Sequence, residues 1–442
     1  MRKNEPIVVD VKHKKTRLIF TIVFAILAII AFVYGVYSCS RVNIEPGLNK
    51  IELMSVNISD EINNVPFYDE INLYYYLEDS KDEKIKDQYD KVYYSYNTIM
   101  QTSFILLSED FSYQTNNIYT INNSINQFVE VDLKLYELLQ DAYQKTLQEN
   151  SHYNMFTKTI ADMWLNNYSS YYYDREINDP LVNEIQKEFL DKASLIYNDK
   201  TNYSLEFKTE ENKYFVKLNL NDNCYINDEV IVQIDLNTLK NAYAMELVAD
   251  YLISADLTNG FLVSKNGYKL SLGGSYTYTG KDNLVIYRPV SISYRSDLEI
   301  ASLESLGKTA YVSFNDYRSS EWDMNLYSFK HQEQPIYRHP YYSSIDGYPH
   351  NYMRSANIVS TNKKLYDIAY LNLNVFNSSL DEAFEIVKEN ASSTISFILV
   401  CDNALYDNLE PEKIKVYYDS YINEENLIIV TINDVYLGEI IK

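Results

Sequence analysis

The chain has 442 residues, 46% of them hydrophobic, which is ample for a sizeable core and argues against disorder. Its 62 acidic against 39 basic residues leave a net charge of −23, which argues against nucleic acid or an anionic surface as a partner of the body. Glycine is scarce at 10 residues, so the loops that cradle phosphates by close backbone approach are hard to build. The 45 tyrosines accompany abundant Asn, Ile and Lys; all have AT-rich codons, and nucleotide bias explains them better than a special tyrosine chemistry.

From the N-terminus, residues 18–37 (LIFTIVFAILAIIAFVYGVY) form an uncharged, almost wholly apolar run, long enough as a helix to cross a hydrocarbon core of roughly 30 Å. Arg2, Lys3, Lys12, Lys14, Lys15 and Arg17 precede it and no comparable basic cluster follows. The positive-inside rule therefore predicts a cytoplasmic tail (1–17), a single-pass anchor or lipoprotein signal (18–37) and a body outside the cell membrane. Cys39 closes Val36-Tyr37-Ser38-Cys39, which resembles a bacterial lipoprotein cleavage site, where the cysteine would be lipidated and the helix removed. Tyr37 and the long leader favour the uncleaved anchor; either way the body is tied to a membrane. Cys224 and Cys401 are too few for a disulfide framework and lack metal-ligand spacing, leaving one bridge between them open.

Residues 38–84 read as a stalk or N-terminal extension. Ile85, Tyr89, Val92, Tyr96 and Ile99 recur at helical spacing and predict a helix to about residue 107. A second helix follows an Asp132 cap with Leu135, Leu138, Leu139 and Ala142 on one face. Residues 168–180 read as loop, 214–220 and 230–236 as strands, 239–254 as a helix, 380–387 as a helix, and 394–401 and 427–432 as strands. No internal repeat or Pro/Ser-rich linker appears, so residues 85–442 are expected to form one compound domain of mixed α/β (α+β) class.

The order of certain segments resembles the ApbE family of FAD:protein FMN transferases. Phe111-Ser112-Tyr113 and the run 118–122 are similar to the family's F-S-x-Y segment and its I-N turn. Asn154-Met155-Phe156 with Trp164 stands where the family has G-A-F-D and a downstream L-W, and 233–244 (QIDLNTLKNAYA) looks like L-D-L-G-G-I-A-K-G-Y-A. Residues 262–268 fall at A-L-V-N-x-G-G-D, 313–317 at T-S-G-D-Y, and 339–349 (HPYYSSIDGYP) at H-H-I-x-D-P-x-T-G-Y-P. Asp367 to Leu371 lies where D-A-L-S-T opens the metal-binding helix. The resemblance implies a T-fold-related body using FAD and Mg²⁺ to flavinylate a client protein, with Asp235, Tyr243, Gly267 and Tyr348 at the flavin and Asp367 at the metal.

The departures fall on the chemistry. Asn241 replaces the lysine of A-K-G-Y and Ala242 its glycine; Asn266 and Tyr268 flank Gly267; Pro340, Ser343-Ser344 and Asp346 replace the histidine, Asp-Pro and threonine of the G-Y-P segment. Leu371 replaces the threonine ligand and offers no lone pair, whereas Mg²⁺ wants several oxygens. No residue is assigned a catalytic role, and the expectation is a degenerate member binding flavin or a partner. Its rivals are an active Mg-dependent FMN transferase and an unrelated exported lipoprotein or binding protein. Plainer readings accompany the site residues: Asp235 holding a loop, Asp367 favouring a helix start, Gly347-Tyr348-Pro349 as a turn flanked by structural histidines His339 and His350, and the tyrosines at 168 and 171–173 clustering by composition. No Ser-His-Asp, zinc or Walker pattern is present in the sequence.

Overall fold

The computed structural model describes residues 44–53, 71–78, 83–170, 172–264, 267–274, 290–294, 296–300, 308–315, 327–402, 414–421 and 435–441. The chain divides into two compact units, Met1–Pro46 and Gly47–Lys442, and the elements below belong to the second. The apolar run 18–37 and Cys39 lie outside the described residues, as does the strand expected at 427–432. No helix among the described residues is long and apolar enough to cross a membrane.

In Ile71–Leu77 (β2) the residues Ile71, Leu73, Tyr75 and Leu77 are buried and those between them half-buried, the period-two pattern of a strand with one face on a core. It pairs with Gly47–Ile51 (β1) on one side and Gly260–Ser264 (β3) on the other. Tyr268–Ser271 (β4), Ala310–Asn315 (β5), Ser355–Ser360 (β6), Ile395–Asp402 (β7), Ile414–Asp419 (β8) and Val435–Ile441 (β9) complete a nine-stranded sheet in which spatial order follows chain order. Neighbours are antiparallel except β8 and β9, which are parallel. Gly47–Ile51 and Ile71–Leu77, within the stretch expected as a stalk, thus enter the main sheet, because the alternating apolar positions of β2 find a core to face.

The long excursion between β2 and β3 supplies most of the helices. Ile85–Leu107 (α1) buries Tyr89, Val92, Tyr96 and Ile99, as its periodicity predicts, and the Tyr96 hydroxyl donates to the Ile71 carbonyl at 2.8 Å. Leu133–Leu147 (α2) starts at Asp132, whose carboxylate accepts from the Lys134 amide at 2.8 Å. Its apolar face covers a three-stranded sheet of Val129–Val131, Lys213–Leu220 and Tyr203–Glu210. Lys158–Ser169 (α3), Glu184–Asn198 (α4) and Lys240–Ser254 (α5) follow, and Leu365–Asn377 (α6) with Leu380–Asn390 (α7) connect β6 to β7. Helix α1 packs on α5, α5 on α6, and α6 on β5 and β6.

Three local expectations change. The stretch 168–180 contains the end of α3 and a short helix, Tyr172–Ile177. The apolar run 230–236 forms a strand only at Glu229–Val230. Beyond that it runs beside residues 155–157, with the Gln233 and Asp235 amides donating to the Phe156 and Met155 carbonyls at 3.2 and 2.8 Å. The Asn122 side chain gives and takes a hydrogen bond with the Ile234 backbone, at 2.9 and 2.7 Å, so a side-chain amide stands in for a neighbouring strand. Finally, Cys224 and Cys401 are buried thiols and do not form a bridge; Cys224 Sγ lies 3.1 Å from the Asn202 carbonyl.

Candidate functional site

Parts of four segments that carry the resemblance, around Thr157, Asn237, Tyr268 and Tyr342, meet beside the start of α5. Asp235 is buried and its carboxylate accepts from the Asn237 amide at 2.8 Å, holding a turn in which Asn237 takes a φ of 49°. The Tyr342 hydroxyl lies 3.2 Å from Thr157 Oγ1 and accepts from the Asn237 side-chain amide, joining three of the segments. Tyr268 donates to the Thr238 carbonyl at 2.5 Å. Gly267, at φ 87°, packs so closely on β5 that a Cβ would sit 1.9 Å from the Ser313 carbonyl oxygen, and its own carbonyl accepts from the Ser313 amide at 2.8 Å; glycine is required there for packing alone.

A helix start with open amides is an anion site, but the first turn of α5 (Lys240, Asn241, Ala242, Tyr243) is buried throughout. Among the described residues, the ammonium groups of Lys240 and Lys158 are already paired with carboxylates. Lys240 lies 2.5 Å from Glu109, and Lys158 lies 2.9 Å from Asp110 and 2.7 Å from Asp162. Burial raises the pKa of Glu109 and of Asp235, and the Lys240 charge pulls each part of the way back. Burial also opposes the charge on Lys158, yet Asp162 and Asp110 outweigh it and hold its pKa above the ordinary lysine value. Carboxylates therefore outnumber cations here, a field that repels a pyrophosphate.

Asp367, in the first turn of α6, accepts from Lys145 Nζ at 2.8 Å, and the same ammonium lies 2.6 and 2.7 Å from the two oxygens of Asp141. Tyr243 donates to Asp141 at 2.6 Å and stacks on Tyr366 at 4.6 Å between centroids. The ammonium faces the rings of Tyr366 and Tyr370 at 4.9 and 5.9 Å. Tyr243 and Asp367 are thus brought together through Asp141, while Tyr348 packs elsewhere, on Trp164 and Arg338. There Arg338 makes a buried two-pronged pair with Asp179 at 2.7 and 2.9 Å. Trp164 donates to the Gly347 carbonyl at 2.8 Å, fixing the G-Y-P turn.

Asp141, Lys145, Lys158, Glu109, Tyr342, Arg338 and Asp179 were not visible as site residues in the sequence. The i,i+4 spacings Asp141/Lys145 and Lys158/Asp162 were a signal, but such pairs are ordinary on helix surfaces.

No protein-family model matches the chain, and no curated protein matches its sequence. Among solved structures it matches the flavin transferase ApbE from Vibrio cholerae, with 14% identity and a TM-score of 0.51, over 85% of this chain and 98% of that one. A histidine-to-glycine variant of that Vibrio cholerae enzyme matches with 15% identity and a TM-score of 0.50, over 80% and 96%. The fold is ApbE-like. Likeness at this identity carries the fold and leaves the chemistry to the residues themselves.

Those residues do not fit the groups the ApbE-like fold implies. An Mg²⁺ ion at Asp367 would compete with the Lys145 ammonium for the same oxygens, and among the described residues no three His, Cys, Asp or Glu are grouped to hold a metal. The pyrophosphate of FAD would meet a buried helix start and lysines already paired with carboxylates. Two polar atoms of the same region, the Tyr153 hydroxyl and Thr238 Oγ1, are buried with no hydrogen-bond partner.

Proposed function

We propose that this protein is an ApbE-like module that has lost flavin transfer and acts by binding, held outside the cytoplasm by its N-terminal apolar segment. The observation that carries the loss of chemistry is the start of α5, where the pyrophosphate would need free amides and cations: the turn is buried, Tyr268 closes on Thr238, and Lys240 is held by Glu109. Phosphoryl-type transfer depends almost wholly on positioning and charge stabilisation, and the buried turn with its paired lysine supports the reading that this helix start supplies neither. The extracytoplasmic tether rests on the apolar run 18–37 and the basic residues before it.

A second reading, in which the module still holds a flavin or another small polar ligand, is favoured by the buried, unpartnered Tyr153 and Thr238 hydroxyls. A buried polar atom left unpaired costs on the order of 1–3 kcal/mol, so a ligand satisfying both would gain from the site. The deciding measurement incubates the full chain with FAD and Mg²⁺, following flavin fluorescence, AMP release and covalent FMN on a client protein. We expect no AMP and no flavinylation. AMP release abolished by Asp367→Ala would restore an active transferase; quenching of flavin fluorescence without AMP would support the flavin-holding reading.

A further inference from the structure

We infer that Lys145 is a tethered cation standing in for the metal ion of this fold, so that the Asp141–Asp367 site is complete without any bound metal. The inference deepens the proposed loss of transfer and rests on that reading for its biological sense, but its geometry stands alone. Asp367 is the carboxylate that the resemblance assigns to the metal. Its Oδ1 is taken at 2.8 Å by the Lys145 ammonium, which also lies 2.7 and 2.6 Å from Asp141 Oδ1 and Oδ2. A lysine has three N–H donors and no acceptor, and three carboxylate oxygens receive them.

The surroundings suit an ammonium and not a hydrated divalent ion. The faces of Tyr366 and Tyr370 stand 4.9 and 5.9 Å from Nζ; an aromatic face attracts an ammonium through its quadrupole but provides no oxygen ligand of the kind Mg²⁺ requires. Leu371 removes a further oxygen from the same helix. The Lys145 side chain is only 10% exposed while Asp141 and Asp367 are 32% and 38% exposed, so the cation is the buried member and the carboxylates close over it from the solvent side. Asp141 and Lys145 belong to α2 and Asp367 to α6, and Lys145 and Asp367 are 222 positions apart. The bond therefore clamps the excursion between β2 and β3 to the helix after β6, a role that a shared metal would otherwise fill.

The test titrates Mn²⁺ into the full chain in detergent, reading bound metal from loss of the free-ion paramagnetic signal and folding from the melting temperature. Wild type is expected to bind no Mn²⁺ that Asp367→Asn removes, and to melt at the same temperature with and without the ion. Lys145→Met keeps the apolar stem and deletes the charge; it is expected to melt lower than wild type at neutral pH, because Asp141 and Asp367 then face each other without a cation, and to regain part of the loss when Asp367→Asn is added. Lys145→Arg, which retains a cation, is expected to fold and to stay insensitive to metal. Stoichiometric Mn²⁺ binding by wild type that Asp367→Asn abolishes overturns the inference, as does a folded Lys145→Met chain that melts no lower than wild type. If Lys145→Met does not fold, the wild-type and Asp367→Asn titrations decide between the same two results. Mn²⁺ binding by wild type without AMP release from FAD would overturn the tethered cation alone, whereas AMP release would overturn the proposed loss of transfer.

Discussion

At the scale of single residues, the pKa values of two neighbouring histidines are shifted in opposite directions. His350 meets the Asp346 carboxylate through Nε2 and the Asn377 carbonyl through Nδ1, each at 2.8 Å. Both partners only accept, so both ring nitrogens carry hydrogen and the ring is an imidazolium. Burial lowers the pKa of His350, but the Asp346 bond, the Asp346 charge and the Asn377 bond together outweigh it and the net shift is upward. His152, edge-on to His350 at 6.0 Å, lies within hydrogen-bond distance of two serine hydroxyls, Ser343 at 2.7 Å and Ser378 at 3.4 Å. Burial, with the His350 charge adding to it, pushes His152 down to about 4 from its ordinary 6.5. The signs oppose. His350 contributes stability that is present below 6.5 and lost as pH rises through its raised folded pKa. His152 must stay neutral when folded, so between pH 6.5 and 4 the unfolded chain takes up a proton the folded chain refuses, and stability falls with pH. The lowered His152 pKa corresponds to roughly 3 kcal/mol across that window. Urea denaturation at several pH values should show the fall, and His152→Gln should flatten it; an unchanged slope in that variant would mean other groups govern the acid limb.

At the scale of elements, the G-Y-P segment is positioned by a buried ion pair. Arg338 and Asp179 are almost wholly buried, Tyr327 donates to Asp179 at 2.5 Å, and Tyr168 donates to the His339 carbonyl at 2.8 Å. Breaking one half of a buried pair costs about 3–5 kcal/mol because the other charge is left uncompensated, while an apolar replacement of both is far milder. Asp179→Asn should therefore lower the unfolding free energy by about that much, and the double variant Asp179→Leu, Arg338→Met should recover most of it in the same urea experiment. Equal losses in single and double variants would show that the pair acts through packing alone. The helices α1, α2 and α5 were legible because their apolar positions recur at the helical period and end on the buried face. Helix α4 was not, since its Ile185 and Leu195 are 80% and 73% exposed while Leu190, Ala193 and Tyr197 face inward, which blurs the period.

At the scale of the whole molecule, the net charge of −23 and the proposed single anchor describe an acidic body repelled by anionic lipid yet held beside it. On that topology the full chain should fractionate with membranes and resist alkaline extraction. Cys39→Ala should leave it there if the uncleaved helix is the anchor, whereas release of that variant would assign the attachment to a lipid on Cys39.

The apolar run, the acid balance, the principal helices and the order of segments that points to an ApbE-like body are legible in the amino-acid chain alone. Each of these is local or cumulative along the chain, and periodicity or simple order is enough to reveal it. Which residues meet in the fold is not legible in the chain order. Lys145 and Asp367 are 222 positions apart, Lys240 and Glu109 are 131 apart, and Tyr342 reaches Thr157 across 185. Such pairings form only because long excursions from a sheet laid down in chain order return their ends to one place. On the helix, Asp141 and Lys145 read as a surface pair; folded against α6, the same lysine is the cation of the site.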